Sequence, residues 1–415
     1  MQLSALGIFL ILILLIFGVD YYAFTGIRSI ITEGTPLWRR IVWGLYASTS
    51  LVSLAAIVLL MVFVMASPSL RLYQIGSTLL SWTMAFFLAK LIMVLFLFGH
   101  DFLMGGLRLW EMVSGGDAEA EPSPSRRKFI ATVGLTVATL PLASMAYGIL
   151  KGKYDYRLHR LDFSHPDLPE AFDGFKVVQL SDIHSGSFDD LNAVQRGIAL
   201  AMDQQPDLIL FTGDLINREP EEFDPCREAF AQLDAPFGMF ATLGNHDYPD
   251  HKPEDQRAGH MQQVQDHHAA VGFRLLNNEN VRLEKDGQYI SLIGVENWGE
   301  PPFPQRGDLD RAALGTEQAP FRLLMSHDPT HWDHKVLPHQ LPIHLTLSGH
   351  THGMQFGVET KGFKWSPVKY RYPRWAGRYD QDGQTLYVNR GFGFIGFSGR
   401  VGIWPEVTLI TLRKG

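Results

Sequence analysis

The 415-residue chain has one cysteine, Cys226, which excludes an intramolecular disulfide and leaves the redox compartment unread. Positive charge is not in surplus either. With 36 Lys and Arg against 43 Asp and Glu, the net charge is −7, and no nucleic-acid partner is expected. The amino terminus lacks the basic segment of a cleaved signal peptide, so the apolar run Leu3–Val19 reads as a retained membrane-spanning helix. Asp20, Tyr21 and Tyr22 read as an interface marker after it. Charge is scarce in the next two apolar runs, Ile41–Ala66 and Ile75–Phe98, where Lys90 stands alone. With no acidic residue visible inside the spans, Lys90 reads as turned toward neighbouring helices, with water or a carbonyl as partner, in preference to a functional site.

What is present divides the chain. Residues 1–110 read as a membrane region of three helices, 111–128 as a polar linker, 129–150 as a fourth helix and 154–415 as a globular catalytic domain. The linker is rich in acid, Gly and Pro over Gly115–Pro124, a flexible composition. It ends in Ser125-Arg126-Arg127-Lys128-Phe129-Ile130, which resembles a twin-arginine export signal. Ordinary stop-transfer charges before a fourth helix explain the same residues equally well. Placing Arg28, Arg39, Arg40 and the Arg126-Arg127-Lys128 cluster in the cytoplasm gives a multi-pass protein of the cytoplasmic membrane with an extracytoplasmic domain. Lys151, Lys153, Arg157 and Arg160 pull the other way.

In the globular part, five short apolar runs read as strands: Phe175–Leu180, Leu208–Thr212, Met239–Leu243, Phe321–Met325 and Ile343–Leu347. Each is followed by a polar cluster: Asp182-Ile183-His184, Gly213-Asp214, Gly244-Asn245-His246-Asp247, His327 and Gly349-His350-Thr351-His352. Ligands of α/β sheets bind at the carboxyl ends of strands, which is where all five clusters fall. Asp, Asn and His are ligands suited to manganese, iron or zinc. Asp182, His184, Asp214, Asn245, His327, His350 and His352 make seven candidates. That exceeds what one open metal site needs and fits two divalent metal ions sharing a carboxylate.

This ordered series resembles the calcineurin-like metallophosphoesterases, specifically their membrane-associated bacterial phosphodiesterase branch, over Asp155 to the C-terminus. The resemblance implies an α/β fold, a two-sheet β-sandwich flanked by helices. It implies that Asp182, His184 and His352 hold one metal, that Asn245, His327 and His350 hold the other, and that Asp214 bridges them. His246 would be the catalytic acid, with Asp247 the acidic residue that often follows it. The implied reaction is attack of a metal-bridging hydroxide on a phosphodiester, with a lipid-linked substrate favoured by the membrane anchor. Monoester or pyrophosphate cleavage, or an idle binding or sensor module, are the alternatives. One departure is Asn217, where several family members carry an acid that orients the histidine; Asn can hydrogen-bond an imidazole but adds no charge.

Leu191–Gln204, Arg227–Leu233 and Gln256–Ala270 read as helices, and Tyr154–Leu161 as an edge strand. The strands Phe273–Leu276, Val281–Leu283 and Tyr289–Val295, with a hairpin at Asp286-Gly287, suggest a second, more antiparallel sheet. His251, His260, His267 and His268 lack compact ligand spacing and read as bordering the cleft rather than as a third metal site. The stretch from Phe363 to Trp375 interleaves basic and aromatic residues, a pattern that suits loop packing or a membrane surface ahead of nucleic acid. Leu386–Gly391 and Pro405–Leu412 read as a closing hairpin, and Arg400 as a surface charge or a phosphate contact.

Overall fold

The computed structural model describes residues 5–65, 69–114 and 124–415; Leu3, Ala66 and the middle of the acidic linker, 115–123, lie outside the described residues. The chain divides into two compact units, 1–149 and 150–415. The first contains helices α1 (Ala5–Ile31), α2 (Pro36–Met65), α3 (Leu70–Ser114) and α4 (Pro124–Leu150). All four are long and apolar enough to cross a membrane. The Arg126-Arg127-Lys128 cluster lies in the first turns of α4, where Lys128 Nζ is 2.5 Å from Glu33 and Arg127 bonds Thr25 at 3.1 Å.

Lys90 is paired, contrary to the reading from sequence. Its ammonium meets the carboxylate of Asp20, which also accepts from Ser50 Oγ at 2.9 Å. Tyr46 donates to the Asp20 carbonyl at 2.5 Å. The sequence reading failed because it ended the first helix before Asp20. In fact α1 runs on to Ile31, so Asp20 sits in its interior, beside α3. An intramembrane lysine with a half-buried carboxylate partner avoids the cost of an unpaired charge.

The second unit contains two six-stranded sheets. Its strands in chain order are β1 (Arg157–His165), β2 (Lys176–Leu180), β3 (Leu208–Phe211), β4 (Met239–Ala241), β5 (Phe273–Leu275), β6 (Glu279–Lys285), β7 (Gln288–Gly294), β8 (Arg322–Met325), β9 (Leu345–Ser348), β10 (Val358–Thr360), β11 (Phe363–Trp365), β12 (Gly377–Gln381), β13 (Gln384–Val388) and β14 (Glu406–Lys414). One sheet has the order β1-β14-β2-β3-β4-β5, the other β12-β13-β9-β8-β7-β6, and β10 pairs only with β11. Alternate residues build the layers. Val177, Leu208, Leu210, Leu323, Met325, Leu345 and Leu347 belong to the core between the sheets. Their neighbours Val178, Ile209 and Phe211 pack instead with Val194 and Ile198 of helix α5 (Leu191–Met202) and Phe230 of α6 (Arg227–Phe230). On the far side Leu324, Leu386 and Val388 pack with Trp332 and Val336. Buried on both faces, these strands read as continuous apolar runs, which is why their positions were visible in sequence. The α/β sandwich with helical outer layers is the expected fold.

Two details differ. The second sheet is not mainly antiparallel: β7, β8, β9 and β13 run parallel, and only the edge strands β6 and β12 reverse, β6 through the Asp286-Gly287 turn. The expected closing hairpin does not form either. Strand β13 belongs to one sheet and β14 to the other, so the chain between them crosses from sheet to sheet. Local alternation cannot tell a hairpin from such a crossing, since partner choice depends on distant strands.

The crossing is tied by a buried ion cluster. Glu406 receives Arg390 Nη1 at 2.6 Å, the Arg390 amide at 3.0 Å and the Tyr387 hydroxyl at 2.6 Å. Arg390 also grips Glu359 of β10 at 2.8 Å. Burial raises the Glu406 carboxyl, but the Arg390 guanidinium outweighs it and holds the group down to about 2. A depressed carboxyl stabilises the fold above its unfolded value, near 4.5, and that stability is lost as pH falls toward 2. The expected contribution is about 3 kcal/mol. Thermal melting of the full chain from pH 5 to pH 2.5 should show a downward slope that Glu406→Gln flattens; an equal slope in the variant would remove the assignment.

Candidate metal centre

The centre lies where parallel strands of both sheets end. Asp182 and His184 follow β2, Asp214 follows β3, and Asn245 and His246 follow β4, all in the first sheet; His327 follows β8, and His350 and His352 follow β9, in the second. Side chains stitch the ends together: Gln179 Nε2 donates to Ser348 O at 2.9 Å, and His327 Nδ1 meets Thr212 O at 2.6 Å. All seven candidate ligands and His246 are therefore brought to one place.

Five of the seven ligand candidates adopt left-handed backbone: Asp182 (φ 52°), His184 (48°), Asp214 (63°), His350 (71°) and His352 (51°). Such conformations cost roughly 1–3 kcal/mol each in non-glycine residues and persist only where their surroundings hold them. Here backbone amides do so. The His350 N–H donates to Asp182 at 2.9 Å, and the His246 N–H to Asp214 Oδ1 at 2.8 Å. Asp247, fully buried, accepts from the amides of Asp214, Leu215 and Gly244 at 2.8–2.9 Å. Burial, then the charge of Asp214, push its carboxyl up to about 7, while the three amides pull the other way. The glycines of the motifs give these amides access: a Cβ on Gly349 would collide with Asp182 Oδ2 and Ser181 Oγ, and one on Gly244 with Asp214 Oδ1.

The donors form two groups, Asp182–His184–His352 and Asp214–His327–His350, with ligand atoms within 4.8 Å of one another in each. Asn245 Oδ1 lies 2.8 Å from His350 Nδ1, beside the second group. Hydrogen bonds on the far ring nitrogens assign the tautomers. His184 Nδ1 faces Ile216 O at 3.2 Å, leaving a buried Nε2 without a hydrogen-bond partner. His327 Nδ1 is spent on Thr212 O, so Nε2 points to Asp214 Oδ2 at 3.2 Å. His350 uses Nε2 on the Tyr372 hydroxyl at 2.8 Å, with Asp328 Oδ2 at 3.4 Å, and aims Nδ1 inward. His352 is the exception. Arg400 Nη2, which also donates to the Gly391 carbonyl at 3.1 Å, stands 3.2 Å from its Nδ1, while its Nε2 lies 3.3 Å from Asp182 Oδ1.

The electrostatics call for positive charge. Asp182 and Asp214 are buried, which raises them, yet the imidazoles of His352 and His327 hold both well below the usual carboxylate range. Burial disfavours a charged His327, but Asp214 overrides it and pushes the imidazole up to about 10. Divalent cations, taking the place of the proton on His327 Nε2, fit this set of buried oxygen and imidazole donors.

His246 is placed by its Nδ1, 2.8 Å from the backbone carbonyl of Asn217. Asn217 thus holds the ring through its backbone, while its Nδ2 donates to Ser187 Oγ at 3.0 Å. Arg400 is corrected, being fully buried behind His352 rather than on the surface. Asp328 and Tyr372 were missed. Asp328 directly follows His327, and that adjacency was a usable signal; Tyr372 reaches His350 only through the tertiary fold. His260 and His268 are buried in helix α7 (Glu254–Ala270) and bond backbone carbonyls of Asp247 and Val264. In one further group, His165–Asp167–His344, both Nδ1 lone pairs are already taken and the Asp167 side chain is exposed. The amides of Asp167 and Arg322 donate to the Nδ1 atoms of His165 and His344 at 3.1 and 2.9 Å.

Residues 175–354 match the family described as calcineurin-like phosphoesterase, and residues 5–153 match that described as probable calcineurin-like phosphoesterase, transmembrane domain. A "Transmembrane protein with metallophosphoesterase domain" of Danio rerio is 26% identical over 96% of this chain and 90% of its own length. "Phosphodiesterase YaeI" of Escherichia coli is 27% identical over 69% of this chain and 99% of its own. "UDP-2,3-diacylglucosamine pyrophosphatase LpxG" of Chlamydia muridarum is 26% identical over 57% of this chain and 83% of its own.

Gly349→Ala should displace Asp182 and lower stability by about 1–3 kcal/mol. Elemental analysis of the purified full chain should show less bound divalent metal than wild type. Wild-type metal content in the variant would show that the close approach is dispensable.

Proposed function

We propose that this chain, a metallophosphoesterase with a calcineurin-like domain behind a four-helix membrane region, cleaves a phosphodiester with two divalent cations bound. The observation that carries the reading is the pair of carboxylate–imidazole pockets around Asp214. Asp182, His184 and His352 would hold one cation, and Asn245, His327 and His350 the other. Asp214 Oδ2 lies 3.5 Å from His184 Nε2 and 3.2 Å from His327 Nε2, which suits it to serve both. Manganese, iron and zinc all match this donor set. Bound there, two cations lower the pKa of water and neutralise charge that builds on the phosphoryl oxygens.

The remaining work falls to the chain itself. His246 is half-buried, and its Nδ1 is engaged by Asn217 O, so Nε2 is the atom left to deliver a proton to the departing oxygen. Tyr372 and Asp328 fix the His350 ring, and Phe303 packs edge-on against it with centroids 5.2 Å apart. Four spanning helices keep the domain at a membrane, which favours a lipid-linked substrate. Cleavage of a lipid-linked pyrophosphate is the second reading, supported by the Chlamydia relative's name, and monoester hydrolysis is a third. An idle module is disfavoured because every donor is in place. For sidedness, the cationic helix ends at Arg28, Arg39, Arg40 and Arg126 favour an extracytoplasmic domain. The pairing of Arg127 with Thr25 and of Lys128 with Glu33 ties the start of α4 to α1 and the turn after it, which supports a retained fourth helix over a cleaved export signal.

With manganese, the full chain in detergent should hydrolyse an aryl phosphodiester faster than the matching monoester, and chelation or Asp214→Asn should abolish turnover. No turnover with any divalent metal in a folded sample would sink the enzymatic reading. His246→Asn should slow a diester with an alkyl leaving group by about 10²–10⁴-fold and an activated aryl diester far less. Equal losses on both would deny His246 the proton-donor role. A Lys414→Cys variant in intact cells should react with a membrane-impermeant maleimide; protection until lysis would reverse the assigned side.

A further inference from the structure

A cavity of about 1080 Å³ opens among α1, α3 and α4 in the membrane unit. Its charged and titratable lining is Glu33, His100, Asp101, Arg108, Arg127 and Lys128, and Met104 and Phe129 contribute apolar wall. None of these residues takes part in the metal centre.

Its level along the helices is informative. The span of α1 ends at Ile31 and that of α4 begins at Ser125, and the lining residues of both helices lie at these ends. Helix α3 has 45 residues, about 68 Å at 1.5 Å per residue, against a hydrocarbon core of about 30 Å. It therefore runs well past the hydrocarbon, and its lining residues, His100 to Arg108, follow the long apolar run that ends at Phe98. This part of α3 also carries exposed Phe102, Leu103, Leu107 and Trp110, a surface suited to the lipid interface rather than open water. The cavity mouth thus sits at the depth of lipid headgroups.

Its charges are unevenly matched. Asp101 accepts from Tyr22 at 2.5 Å and faces Arg127 Nη2 at 3.4 Å and His100 Nδ1 at 3.0 Å. Glu33 is taken by Lys128 at 2.5 Å. Arg127 Nε is shielded from solvent and has no hydrogen-bond partner. Arg108 has no ion pair or hydrogen bond among the described residues. Two guanidinium groups therefore retain donors at one cavity, and guanidinium recognises phosphate oxygens through paired N–H groups.

We propose that this cavity binds the phosphate headgroup of an anionic glycerophospholipid, with Arg108 and Arg127 as its donors. The site is independent of the phosphodiesterase reading and would stand if that reading failed.

The test is lipid retention by the full chain in detergent, followed by native mass spectrometry and by the rise in melting temperature on adding lipid. Phosphatidylglycerol should be retained over phosphatidylcholine and should raise the melting temperature. Arg108→Gln should weaken phosphatidylglycerol binding about fivefold, the effect of one interfacial cation, and the Arg108→Gln/Arg127→Gln pair further. Arg40→Gln, an exposed cation outside the cavity, should leave binding unchanged. Arg108 makes no bond whose loss could unfold the bundle, and the lipid-induced shift compares each variant with its own lipid-free state. Equal retention of the two lipids, or an unchanged Arg108→Gln, overturns the proposal. Displacement of phosphatidylglycerol by millimolar inorganic phosphate would make this a soluble-anion site and overturn the lipid assignment.

Discussion

Two carboxylates, Asp182 and Asp214, are buried at the point where the two sheets meet, and the catalytic unit is arranged around making that tolerable. An unpaired buried carboxylate is costly enough that it would take up a proton instead. Both stay ionised because backbone amides donate to them and imidazoles from the opposite sheet surround them. The first sheet supplies the carboxylates and the second supplies three of the imidazoles, so neither sheet builds the centre alone. The left-handed backbone at five ligand positions is the strain that this convergence imposes.

Around this centre a second layer fixes which atoms face inward. Carbonyls of Thr212, Ile216 and Asn217 each occupy one imidazole nitrogen and so orient the other. Asp247 gathers three amides from two loops, and Arg400 fills the space behind His352 while bonding the carbonyls of Gly391 and Gly393. The crossing from β13 to β14 brings Gly391, Gly393 and Arg400 to the site, and the Arg390–Glu406 pair anchors it. Phosphoester chemistry asks for this rigidity, since preorganised charge gains most where little reorganisation is needed.

The membrane unit follows the same rule in an apolar solvent. Lys90 and Asp20 neutralise each other inside the bundle, and Asp101 collects Tyr22, His100 and Arg127 nearer the helix ends. These polar groups of α1, α3 and α4 meet one another, whereas Arg108 stays unpaired among the described residues.

Much of this was legible in the chain. Strands buried on both faces show as continuous apolar runs, and the polar residues at their ends, Asp182 through His352, name themselves by type and position. Helix α5 was legible from its spacing of Val194, Ile198 and Ala201. Other features depend on residues far apart in sequence. The Asp20–Lys90 pair spans 70 residues, the Tyr372 contact with His350 depends on how a loop folds back, and β13 and β14 look like a hairpin until their different partners are known. Patterning along the chain determined which residues are buried and which donors cluster at strand ends. Only the tertiary structure decided which of those donors meet, because pairing between sheets and helices is set by packing that no local window contains.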